Sequence, residues 1–257
     1  MHSVNPAANL VVFGTFIGLL AYTVCSPGGR QRLCRKPRRD WILDSCGLLI
    51  QGILVPVLQF TAVYQLYHLL FPQAQAVLHL PNGLGFLISF VLVDYLYYWN
   101  HRWLHGWAWR WHRLHHTVTD LDVLGTSRNS VWTSGLILYL WLHPLGLYLL
   151  AQPEGYLWGM GLTSTLDLWR HSRFSLPQPW AGWLGRWLIL PQDHAWHHAA
   201  DRLPCNYSAN FNWDRWHGTA YQSDSPPERL GDSLGELAGK SPNELLQPSL
   251  MRQLFWP

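Results

Sequence analysis

Charge is scarce in this sequence. Asp, Glu, Lys and Arg make up 13% of its 257 residues, about half of the ~25% usual in a soluble domain. That shortage argues against an ordinary soluble fold. The net formal charge is only +3, and no basic stripe interleaved with aromatics runs along one face, so nucleic acid is excluded as a partner. The four cysteines, Cys25, Cys34, Cys46 and Cys205, lack the paired spacings of zinc sites and disulfide scaffolds. They read as isolated reduced thiols. His-Glu-x-x-His is missing, which removes the usual signature of a zinc hydrolase. Internal repeats are missing too, and a transporter built from duplicated halves would show them. No positive charge precedes the first apolar run, so that run is a poor secretory leader.

Apolar residues are abundant at 49%, yet the mean hydropathy is near zero, so they must be concentrated in segments. Five stretches are candidates for entering a bilayer: Ala7–Val24, Trp41–Phe71, Gly83–Trp99, Val131–Ala151 and the weaker Gly155–Leu168. A span needs about 20 apolar residues. The first, third and fourth meet that length, the second is long enough for a tilted helix or a pair, and the fifth crosses in part or pairs with the fourth. The 17 tryptophans and 11 tyrosines suit a membrane–water boundary, where an amphipathic ring sits half buried. Threading the stretches alternately through a bilayer puts all 18 Lys and Arg residues on one side. By the positive-inside rule that side is cytoplasmic. The expectation is an all-α integral membrane protein with about four to five membrane helices. Residues 1–82 supply N-terminal membrane helices with a basic cytoplasmic loop, 83–220 a catalytic domain, and 221–257 a polar tail, as a single structural unit. Within the tail, Pro226 and Pro227 break the chain, and Asn243–Phe255 reads as a short interfacial helix or a loose end.

Histidine is the outlier among the polar residues. Nine of its 14 copies fall in clusters. His101 and His105 are four apart and share a helical face, with Asp94 and Tyr98 on the turns before them. His112, His115 and His116 follow as His-x-x-His-His, and His194, His197 and His198 repeat that spacing. Asp167 and His171 lie four apart between them. Imidazole suits iron, copper, nickel and zinc, and this many imidazoles without a cysteine pattern points to a redox-active first-row metal. Nine or ten ligands exceed the needs of one ion and serve two. The five remaining histidines, His2, His68, His79, His143 and His217, are isolated and read as ordinary core or surface residues. A non-catalytic membrane metal- or haem-binding protein is the rival reading, but haem takes one or two axial histidines rather than nine.

The order His-x-x-x-His, His-x-x-His-His, single His, His-x-x-His-His resembles the fatty acid hydroxylase / sterol desaturase superfamily. The run Asp94 to His105 is similar to the family's Asp-…-Tyr-Trp-x-His-Arg-x-x-His, and Asn206-Tyr207, Trp213-Asp214 and Gly218-Thr219 are similar to its ending. The resemblance covers about Leu84 to Thr219. It implies a helical membrane fold with a cytoplasmic histidine-rich cap over a di-metal site, two iron ions (zinc possible in purified protein), O2 as co-substrate, and hydroxylation or desaturation of a lipid such as a fatty acyl chain or sterol. It implies an external electron donor, such as cytochrome b5, ferredoxin or a flavin reductase, as no fused donor domain is visible in this sequence. The candidate ligands are His101, His105, His112, His115, His116, His171, His194, His197 and His198. Asp167 is counted with them, although it also reads as a carboxylate orienting His171, or as neither. Asp94, Arg128, Asn206 and Asp214 are candidates for supporting the ligands from behind. Departures from the family's pattern are Ser208 for Gly, His217 for Phe, Asn129 for a frequent His, and Asp167 where some relatives carry another His. A bacterial inner membrane is expected in preference to endoplasmic reticulum.

Overall fold

In the computed structural model, residues 6–200, 204–231 and 254–255 are described. Among them the fold is helical, with no β-strand and three isolated bridges, Leu78 to Leu150, Leu188 to Phe211 and Ala199 to Leu230. Helix α1 (Pro6–Cys25) carries no acid in its first turn and no base in its last, and is apolar on every side. A short basic helix, α2 (Pro27–Arg35), opens with a proline that is at home in a first turn. Helix α3 (Arg38–Leu70) runs for 33 residues. It contains two wide π-type turns, Ile50–Leu54 and Gln59–Val63, on either side of Pro56, which has no N–H to give to the ladder. Helices α1 and α3 are the two described helices long and apolar enough to cross a membrane. Both leave large apolar side chains such as Leu10, Phe13, Ile53 and Phe60 exposed, as a helix hydrophobic all round does when its solvent is lipid.

Residues 82–104 form one continuous helix, α4, which ends where the first histidines stand. Next come α5 (Trp109–His112), α6 (Val131–Leu136), α7 (Tyr139–Leu149) and α8 (Glu154–Arg170). The last three are α9 (Gln178–Leu184), α10 (Pro191–His197) and α11 (Trp213–His217). Helix α8 lies between α1 and α4. Gly155 and Gly159, one turn apart, let α4 approach so closely that a Cβ at either would collide with Asn82 or Ser89. Small residues at that spacing let two helix backbones approach closely. On another side, Gly161 of α8 meets Ala8 of α1.

The stretch Val131–Ala151 is not one helix. It breaks at Ile137, which is extended, and Asn100 of α4 fills the break. Its Nδ2 donates to Leu136 O at 3.1 Å, and its Oδ1 accepts from Leu138 N at 3.1 Å. The second histidine cluster is also less regular than its spacing implies. Helix α5 stops at His112, and His115–Thr117 is a separate 3-10 turn. Most of the tail expected as a polar segment, including nearly all of Asn243–Phe255, lies outside the described residues. Its Leu254 is buried with Leu43 and Leu114, and Trp132 Nε1 donates to Phe255 O at 2.6 Å.

Candidate metal centre

The nine clustered histidines come from four places in the fold. His101 sits in the last turn of α4, and His105 caps it. His112 ends α5, and His115 and His116 occupy the turn after it. His171 caps α8. His194 and His197 lie in α10, and His198 caps it. All are buried except His105, which is half-buried. Their ring nitrogens gather into two groups, each with its ligand atoms within 4.8 Å of one another. One contains His101, His105, His112, His116 and His197, the other His115, His171, His194 and His198. Each His-x-x-His-His cluster is therefore divided. Its first and last imidazoles enter one group, and its middle imidazole enters the other. On α10 the fourth residue returns to the same side of the helix, whereas the third falls short of it.

The hydrogen bonds fix which nitrogen faces inward. His101 Nδ1 is 2.7 Å from Tyr207 O, His197 Nδ1 is 2.6 Å from Cys205 O, His171 Nδ1 is 2.9 Å from Asp167 O, and His115 Nδ1 is 3.2 Å from Arg128 O. A carbonyl only accepts, so each of these Nδ1 atoms carries the proton and each Nε2 presents a lone pair. The inward Nε2 atoms nevertheless meet: His171 and His115 at 3.4 Å, His101 and His112 at 3.1 Å, and His194 and His171 at 2.9 Å. Between His171 and His115 two lone pairs face each other with no proton to share. A cation seated among them resolves that opposition, so the donor set fits a metal in each group. Burial drives the His115 ring down to about 3 and the His197 ring to about 4. It also lowers His101, His105, His112, His116, His194 and His198 well below 6.5, with neighbouring rings adding to the effect. Neutral imidazole is the form that binds metal.

The acids stand behind this centre. The Asp167 carboxylate belongs to neither group of candidate ligands. It pairs with Arg170 and lies 3.4 Å from His171 Nδ1. Asp94 holds the loop before α11. Its Oδ1 accepts from Asn210 N at 2.8 Å, and its Oδ2 accepts from Phe211 N at 3.0 Å and Trp213 Nε1 at 2.7 Å. Asp214, fully buried, accepts from Tyr207 N, Ser208 N, Ser208 Oγ and Thr219 Oγ1. It thereby fixes the Tyr207 carbonyl that His101 uses, and Ser208 adds a hydroxyl to that clamp. Asn206 adopts φ 51, a left-handed conformation that asparagine tolerates better than most residues. Its side chain donates to Asp193 O and Tyr221 O and accepts from Tyr221 N.

Arg128 points away from the rings. Its Nε donates to Asp44 Oδ1 at 2.6 Å, and its Nη1 reaches Asp40 and Thr117. Lys36 bridges Asp44 and Asp122 from the other side. His217 belongs to neither group and stacks on Tyr95 and Tyr98. The carbonyls of Cys205 and Tyr207, and the buried Arg170 that donates to Ala209 O, escaped the sequence reading. A main-chain acceptor leaves no mark in residue type, so only the neighbouring Asn206 and Asp214 hinted at them.

The sequence model of the fatty acid hydroxylase family matches residues 86–219, which is just over half of the chain. The chain belongs to the fatty acid hydroxylase family. The matched region holds all nine clustered histidines and every acid behind them except those on α3. Among curated proteins, the chain is similar to the ornithine lipid hydroxylase OlsE of Rhizobium tropici, at 28% identity over 174 residues, covering 65% of this chain and 51% of the relative. The chain thus spans about half the length of that relative. No solved structure matches it.

Proposed function

We propose that this protein is a membrane-bound, O2-dependent lipid hydroxylase that works with two iron ions, one held by each histidine group. The observation that carries the reading is the facing pair of Nε2 lone pairs on His171 and His115, inside a family of fatty acid hydroxylases. Imidazole sets of this kind suit iron. Bound there, two irons supply reductive activation of O2, with one oxygen atom passing to the lipid as an alcohol and the other leaving as water, at the expense of two electrons and two protons. An external donor supplies the electrons. The substrate is an acyl chain of a polar membrane lipid, in keeping with the name of the Rhizobium tropici relative. Desaturation of the same chain is the variant outcome.

The chain's own part is to hold the imidazoles neutral and aimed. Carbonyls of Cys205, Tyr207, Asp167 and Arg128 keep the Nδ1 protons in place; Asp214 holds the Tyr207 carbonyl in place, and the Arg128 side chain anchors its own. Asp167 orients His171 from behind rather than ligating. The site faces the cytoplasm, in a bacterial inner membrane. The decisive test counts metals per chain in the protein purified in mild detergent, beside His115→Ala and His198→Ala. About two irons in the parent and a clear loss in both variants support the reading. Equal metal in all three proteins, or none in any, rules out the di-metal site.

A further inference from the structure

Three segments around the histidine core expose tryptophan. On α4 and the turn after it, Trp99, Trp103 and Trp107 are 44%, 43% and 90% exposed. Trp183 and Trp187, on and just after α9, are exposed by more than half, and so is Trp216 of α11. These segments are far apart in sequence but continuous in space. Asn212 N donates to Trp187 O at 2.8 Å, Leu188 bridges Phe211, Trp213 packs on Tyr95 at 4.9 Å, and His217 packs on Trp99 at 4.9 Å. One strip therefore runs from α9 across α11 to the end of α4.

Its charge has one sign. Arg186 and Arg215 are exposed along it, and Arg102 lies over Trp99 at 5.1 Å. The acids in these segments, Asp94 and Asp214, are fully buried, so no described carboxylate is exposed on the strip. The exposed acids Asp224 and Glu228 lie on a different segment, tied to α10 through Gly231 N and His198 O.

Its level in the molecule is set by α8. That helix runs beside the candidate span α1, from Gly161 against Ala8 to Phe174, just past its end, against Tyr22. Asn210, at the root of the strip, donates to Thr163 of α8 at 2.7 Å. The strip thus reaches from about two turns below the end of α8 up to the level at which α1 gives way to the basic helix α2. Exposed indole rings next to arginine, without carboxylates and at that height, have the chemistry of a surface that meets lipid headgroups.

We propose that the strip formed by α9, α11 and the end of α4 lies in the headgroup layer of the bilayer and favours anionic phospholipid. The inference rests on the membrane reading of α1 and α3. It changes the picture of the cap: the half that carries His101 and His197 is seated in the membrane boundary, so a lipid reaches the metal groups sideways, without leaving its leaflet.

The test uses the full metal-loaded chain in nanodiscs of phosphatidylcholine, with or without about one third phosphatidylglycerol, each with a trace of phospholipid carrying a photoreactive diazirine near its headgroup. Mapped adducts are expected on peptides containing Trp107, Trp183 and Trp216 but not on 224–229. Phosphatidylglycerol should raise strip labelling about fivefold, and the pair Arg186→Gln and Arg215→Gln should remove that gain. Adducts confined to α1 and α3, with Trp107, Trp183 and Trp216 readily oxidised by hydroxyl radicals in water, overturn the proposal and leave an acidic soluble partner as the occupant. Absence of adducts on α1 and α3 as well would fell the membrane reading itself.

Discussion

An imidazole binds metal through one nitrogen only while the other keeps its proton, so the residues that matter most after the ligands are those that fix a carbonyl. Asp214 is the best placed of them. Replacing it with Ala strands the Tyr207 and Ser208 amides, at about 1–3 kcal/mol for each unsatisfied donor. We expect Asp214→Ala to lower the melting temperature and to weaken metal binding by the His101 group before the His115 group, read by titrating each apoprotein with Fe(II). Asp167→Asn should keep both metals and weaken one of them about 10–100-fold; outright loss of one metal would instead make Asp167 a ligand. The buried rings also set a pH dependence. Eight of them titrate below 6.5 in the fold and near 6.5 when unfolded. The metal-free protein therefore has its full stability above that value and loses it as pH falls, because the unfolded chain takes up protons that the folded chain refuses. Each ring adds up to about 1.4 kcal/mol per pH unit to the slope. The melting temperature of apoprotein should be level above about pH 7 and drop steeply from about 6.5 to 5; a level curve through that window would mean that water reaches the rings. The nine imidazoles were readable from spacing alone. Their nitrogens were not, because the partners are backbone atoms.

Between elements, the junction of α3 with the turn after His116 is the most charged contact in the interior. Lys36 and Arg128 face Asp40, Asp44 and Asp122 there, and Asp44 is almost fully buried. Arg128 passes the position of α3 to His115 through its own carbonyl. Breaking a buried pair leaves its partner unmatched, at about 3–5 kcal/mol. Asp44→Ala should therefore destabilise the whole protein by that amount and loosen metal binding at the His115 group, while Asp44→Glu restores part of both, measured by thermal melting and metal content. An Asp44→Ala protein with parental metal content would make the junction a matter of stability alone. In the sequence, Asp44 stands out only as an acid near the start of an apolar stretch, and nothing local links it to a residue 84 positions away. The break between α6 and α7 was hidden for the same reason. Its backbone groups are satisfied by Asn100, on a different helix, so hydropathy along Val131–Ala151 carried no trace of it.

For the molecule as a whole, the sequence marks five apolar stretches, and the first two of them stand in the fold as α1 and α3 with the basic helix α2 between them. Sidedness can be read through native thiols. Cys34 on α2 is exposed, whereas Cys205 is buried. In a Cys25→Ser background, a membrane-impermeant maleimide should label Cys34 in inside-out vesicles and leave it unlabelled in intact spheroplasts; the opposite pattern would reverse the orientation. The strip along α9 and α11 was not readable from composition, which counts tryptophans without saying that three distant segments line them up.

The crossed membership of the histidine clusters ties the two candidate ion sites to one ruler. Because α10 sends His194 and His198 one way and His197 the other, the separation of the two histidine groups is written in the pitch of a single helical turn, which no exchange of side chains can stretch. Lengthening that turn by one inserted residue between His194 and His197 would put both sites out of register at once, a graver injury than the loss of any one ligand.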